Sequence, residues 1–186
     1  MSKIKGGMSE MLTQPKSENR GARPYVGIRS CVPMQQVSTV LPPLIGEVMA
    51  WLGARGSVPN GPPFFRYRVI DMARDLEIDV GVPVATPLMG DGRIVTDVIP
   101  AGKYARVVHT GHYDQLIEAN KALQEWGRSN GVEWRKSEGE HGSVWASRLE
   151  IYLTNPATEP DTQKWQTEIA YLVDDGNQMS QCPCFE

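Results

Sequence analysis

The order of predicted elements constrains this chain most: a strand, a helix and two further strands appear twice in succession. In the first pass, residues 24–29 read as a short strand. A helix follows, because Val37, Val40, Leu41, Leu44, Val48, Trp51 and Leu52 fall at helical spacing. Pro42 and Pro43 fit its first turn, where amide hydrogens lack partners in any case, with Ser38 or Thr39 as the cap. The helix stops near Gly53 to Gly56, and the turn formers of 57–63 make a loop. Residues 64–70 and 76–82 are strands, the second alternating apolar with acidic residues as though one face were wet, and 94–99 is a further strand.

In the second pass, 103–109 is a strand. A helix opens at Asp114 with Leu116, Ile117, Ala119, Leu123 and Trp126 as its apolar stripe, and Asn130-Gly131 closes it in the manner of a left-handed cap. The charged stretch 133–141 reads as loop, and 143–153 and 165–172 as strands. Two such units side by side imply an α+β domain. Duplicated β-α-β-β units form a largely antiparallel sheet with two long helices on one face and a central ligand cleft. The halves run over about 21–100 and 101–174, with 1–20 a flexible N-terminal tail and 175–186 a polar C-terminal tail.

Within the second half, Leu149, Ile151 and Leu153 alternate with Arg148, Glu150 and Tyr152 until Asn155-Pro156 stops the strand. Glu150 and Tyr152 therefore point to one side. A carboxylate in an aliphatic strand needs water, a partner or a task. On the strand pattern alone both a solvated and an engaged acid stand, the first being the commoner outcome.

The run Leu149-Glu150-Ile151-Tyr152-Leu153-Thr154-Asn155-Pro156, with Glu159-Pro160-Asp161 and Lys164-Trp165-Gln166-Thr167-Glu168-Ile169, resembles the closing segment of GyrI-like small-molecule-binding domains. The same domain forms the effector-binding half of multidrug-sensing transcription regulators. Pro100-Ala101-Gly102-Lys103-Tyr104-Ala105 and His109-Thr110-Gly111-His112-Tyr113-Asp114 resemble that family too, so the likeness covers most of 23–173 and points to a stand-alone form. The resemblance implies the duplicated architecture and places the acid matching Glu150 at the bottom of a hydrophobic, aromatic-lined pocket. It makes Trp165 the strongest partner for that acid, while Tyr67 holds in the first half the place of Glu150 and Tyr152 in the second. Phe65, Trp51, Tyr152, His112 and Tyr113 complete the candidate set, with core packing the alternative for each ring. The segment 142–147 departs from the short Gly/Pro-rich approach expected in many relatives.

An acid among rings can pair with a lipophilic cation, each ring adding about 0.5 to 2 kcal/mol. It can also serve as a general acid or base once desolvated. The leading expectation is a binding protein for hydrophobic, aromatic and cationic small molecules. One alternative, implied by the resemblance, is a hydrolase opening cyclopropane-bearing DNA-alkylating natural products, with Glu150 positioning the water. A second is a gyrase-interacting protein.

Other classes find little support. No apolar run nears the roughly 20 residues that span a bilayer, and no secretory signal is visible, so a cytoplasmic address without membrane association is expected. A net charge of -3 offers no electrostatic reason for direct nucleic-acid binding. The three cysteines, two of them in the terminal Cys182-Pro183-Cys184, make neither a disulfide framework nor a usual ligand set, and Cys31 has no base beside it. His109 and His112 straddle a strand end where their rings need not converge, so no metal is expected. With no nucleophile elbow and no glycine-rich phosphate loop, no cofactor is expected either.

Overall fold

The computed structural model describes residues 11–176. The tail expectations for 1–10 and 177–186, with Cys182 and Cys184, lie outside the described residues. Ten strands and three α-helices run in the order β1 (Lys16–Arg20), β2 (Arg23–Val32), α1 (Val37–Val40), α2 (Pro42–Ala54), β3 (Phe64–Ile70), β4 (Leu76–Pro83), β5 (Val95–Ile99), β6 (Gly102–Thr110), α3 (Leu116–Ser129), β7 (Lys136–Gly139), β8 (Gly142–Trp145), β9 (Arg148–Tyr152) and β10 (Gln166–Leu172) among the described residues.

The strands form one curled antiparallel sheet in the order β1-β6-β10-β9-β3-β4-β2-β5, with β8 pairing β3 and β7. About the β9–β3 junction the sheet is symmetric, since β9, β10, β6 step outward on one side as β3, β4, β2 do on the other. This is the expected duplicated α+β architecture. α2 packs on β2 and β4, and α3 on β6 and β10. Each helix thus covers the outer strands of its own half, through Val48 and Leu52 in one and Leu116, Ala119 and Leu123 in the other. The opposite face is also buried, where the curl folds Tyr25, Phe64, Tyr104, Leu149 and Leu172 into a core of their own. Gly81 is needed there, because a Cβ on it would stand 2.4 Å from the Phe64 ring.

Several local expectations are corrected. The chain before Arg20 is not all loose, since β1 pairs with β6 and Leu12 bridges to His109. Its stability comes from backbone pairing and from Glu18, which accepts from Arg20 and Arg106, so an apolar period was not required. The helix expected from 37 onward is broken at Leu41 with a 44° bend. The prolines do open a helix, but they open α2, whose N-cap is Leu41 rather than Ser38 or Thr39. The stretch 133–141 contains β7, which pairs with β8, and the strand expected over 143–153 is interrupted between β8 and β9. The acidic face of β4 is not wet, for Asp79 is fully buried. Alternation reports two faces, but curvature decided which groups close over each.

α3 ends as expected, with Gly131 at φ +65° and Asn130 Nδ2 donating to Trp126 O at 2.8 Å. Within α3, Gly127 admits the Trp134 ring, which would lie 2.2 Å from a Cβ there. No single helix among the described residues is long and apolar enough to cross a membrane.

Candidate functional site

Because each helix covers outer strands, the central pair β3 and β9 is left open between α2 and α3. The space there is a cavity of about 1170 Å³, above the roughly 300 to 1,000 Å³ usual for small-molecule pockets. Phe65 and Tyr67 of β3 and Arg148, Glu150 and Tyr152 of β9 line it. Phe65 and Glu150 are direct register partners, and two residues further along each strand stands a tyrosine, Tyr67 on one and Tyr152 on the other.

These tyrosines converge on the acid. Glu150 is 6% exposed, and its Oε2 accepts from the Tyr67 hydroxyl at 2.9 Å and the Tyr152 hydroxyl at 3.1 Å. Its Oε1 accepts from Asn120 Nδ2 at 2.7 Å. Asn120, buried on α3, donates also to Leu116 O at 2.8 Å, and its Oδ1 accepts from the Tyr171 hydroxyl. Burial and the neighbouring Glu150 charge hold the Tyr67 and Tyr152 phenols well above the ordinary range, so both stay protonated and donating. All three partners of the carboxylate are therefore neutral, an arrangement that solvates the charge without cancelling it.

A file of rings extends from this floor. Phe65 meets Tyr152 edge-on at 4.9 Å, Tyr152 meets Tyr113 edge-on at 5.4 Å, Tyr113 lies 4.6 Å from Trp165, and Trp165 stacks on His112 at 5.7 Å. The first three line the cavity, whereas Trp165 and His112 stand behind Tyr113 and do not. Trp165, expected beside Glu150, donates its Nε1 to Glu159 O at 2.8 Å and packs against Tyr113, which lines the cavity. His112 instead accepts from the Asp114 amide at 3.2 Å, capping the short turn before α3. Trp51 packs half-buried against the core beneath α2, donating to Asp91 at 2.6 Å beneath the Arg55 guanidinium, and is not a lining residue. At the rim, Met49, Met72, Ile117 and Leu153 keep apolar side chains exposed.

Among the lining residues that sequence reasoning missed are Asn120 and Arg148. Asn120 carried a signal, since it follows Leu116 by four and precedes Leu123 by three, which sets a polar group within the apolar stripe. Arg148 carried one too, being two residues before Glu150 on the same strand face. His109 is buried on β6 and His112 is half-buried before α3, and among the described residues no three metal-ligating side chains gather. The arrangement offers an aromatic-lined enclosure with one engaged acid on its floor.

Comparison with known proteins agrees with this architecture. The model of the GyrI-like small molecule binding domain family matches residues 13–173. None of the curated proteins compared with the chain matches it. The solved C-terminal domain of EcmrR superposes with a TM-score of 0.71 at 23% identity, covering 87% of this chain and 97% of that one. EcmrR in its DNA complex gives 0.72 at 23% identity over 91% of this chain, but this chain spans only 60% of that protein. SAV2435 bound to tetraphenylphosphonium gives 0.58 at 10% identity, covering 88% of this chain and 95% of that one. At these identities the likeness is one of fold.

Proposed function

Because the chain belongs to the GyrI-like small-molecule-binding family, we propose that its cavity takes hydrophobic, aromatic and cationic small molecules, with Glu150 as the counter-charge. The observation that carries this reading is the buried Glu150 carboxylate, which faces a large apolar cavity and has only neutral partners. A lipophilic cation would supply the missing charge, and Phe65, Tyr67, Tyr113 and Tyr152 would present ring faces to it. The halves of about 21–100 and 101–174 would each contribute one wall. That SAV2435 is known bound to tetraphenylphosphonium makes this ion a suitable first probe. Calorimetric titration should give saturable binding that Glu150→Gln weakens by about tenfold, or about 1.4 kcal/mol. Equal affinity in both proteins would remove the acid from the account.

Hydrolysis of a cyclopropane-bearing alkylator is the rival for the same residue. Three donors already occupy most of the roughly four acceptor sites of the carboxylate, which leaves little capacity for positioning a water. The protein should therefore protect such a compound stoichiometrically, and multiple turnovers would favour the hydrolase instead. No feature among the described residues favours gyrase over another protein partner.

A further inference from the structure

An acid and a guanidinium stand on the cavity floor, and only the acid has most of its hydrogen-bonding capacity met. Glu150 receives three donors. Arg148, on the same face of β9, lines the same cavity with its guanidinium carbon 5.5, 5.0 and 4.9 Å from the ring centres of Tyr67, Trp145 and Tyr171. Ring faces attract its charge but accept no ordinary hydrogen bonds. Its Nε is buried without a partner. Among the described residues its one hydrogen bond runs from Nη2 to Asn120 Oδ1 at 3.5 Å, the limit of useful length, and that oxygen already holds the Tyr171 hydroxyl.

A guanidinium has five N–H donors in a rigid fork suited to a carboxylate. The unmet demand on this floor is thus for an acceptor as well as for a cation. We infer that Arg148 forms an acceptor subsite, so that the preferred ligand carries a carboxylate or comparable anionic group on the same aromatic body as its positive charge. Glu150 and Arg148 are two residues apart on a strand, about 6.6 Å along the backbone, which sets the scale of the charge separation the ligand must span. Among the described residues Arg148 forms no ion pair with Glu150 or any other acid, so neither group has to be released before a zwitterion can bind both. The inference rests on the cation-binding reading of Glu150 for one end of the ligand.

A matched dye pair tests it: a rhodamine with a free benzoate, and the methyl ester of the same dye, followed by fluorescence titration of the full chain. Wild type should bind the acid about tenfold tighter than the ester. Arg148→Gln should abolish the preference by weakening the acid alone, and Arg148→Lys should restore part of it. An ester that binds wild type as tightly as the acid overturns the subsite, and this result needs no variant to fold. Glu150→Gln separates the two claims. Should it weaken the ester while the acid holds no advantage, the subsite falls and the cation reading stands. Should the acid preference follow Arg148 while neither dye responds to Glu150→Gln, the cation reading falls and the subsite stands. Binding of neither dye overturns both.

Discussion

Asp79 and Glu150 are both buried acids in the middle of the same sheet, yet they sit on opposite faces and are answered in opposite ways. Asp79 of β4 is fully buried and accepts from Arg29 Nε at 2.7 Å, Arg68 Nη1 at 3.1 Å and the Tyr25 hydroxyl at 2.5 Å. Asp97 extends the network by pairing with Arg68 at 2.6 Å and Arg66 at 3.3 Å. That charge is cancelled by the chain's own arginines, so the cluster is complete and structural. Glu150 has neutral donors and a cavity beside it, so its charge remains available. Compensation, more than burial, separates an acid that holds a fold from one that can hold a ligand.

The sharpest way to break this contrast is to remove both charges in turn and compare stability with binding. Asp79→Asn should lower stability by about 3 kcal/mol in denaturant titration, because it leaves Arg29 and Arg68 beside a neutral group. The folded fraction should still bind tetraphenylphosphonium normally, and a stable Asp79→Asn protein would mean the cluster is not structural. Asn120→Ala should cost about 2 kcal/mol in the same assay, since it removes the donor to Glu150 Oε1 and the acceptor of the Tyr171 hydroxyl. Glu150→Gln reverses the pattern: its amide oxygen can still accept from the Tyr67 and Tyr152 hydroxyls while its NH2 meets Asn120 Nδ2 donor to donor, so stability should fall by about 1 kcal/mol while cation affinity drops as described above.

The smallest effect should come from His109. Burial lowers its pKa, with the nearby Gln115 amide offsetting part of the change. Folded and unfolded imidazoles are both neutral well above about 6.5, and below that value the unfolded form takes up the proton first. Stability should therefore be intact at neutral pH and decline as pH falls from about 6.5 toward the lower folded value, by less than about 1.4 kcal/mol per unit. Midpoints measured at several pH values should show this slope in wild type and a shallower one in His109→Leu.

Much of this arrangement was legible in the residues. The alternation of 148–153 put Glu150 and Tyr152 on one face, the spacing in α3 marked Leu116, Ala119 and Leu123 as buried although its stripe also took in Ile117, which is exposed at the rim, and the prolines marked the start of a helix. Tyr67 was placed by position in the duplicated order and does reach the acid. Trp165 and Trp51 were candidates because large rings near the motif are natural pocket residues, yet each spends its indole N–H elsewhere, on Glu159 O and on Asp91. Nothing local distinguishes a ring facing a cavity from one standing behind another ring. β1 was hidden for a different reason, since a polar edge strand held by backbone pairing and arginine–glutamate contacts has no apolar period to read.

By itself the sequence determined which side chains share a face and in what order the elements follow, because strand and helix periods are local properties of the backbone. Which face closes on itself and which opens to a cavity was decided only in three dimensions. Strand pairing brought Arg29, the register partner of Asp79, and Arg68 of the other neighbouring strand onto Asp79, while α2 and α3, each seated on its own outer strands, stopped short of covering Glu150. Long-range pairing made that choice, and residues some 50 to 80 positions apart cannot announce it to one another in a local pattern.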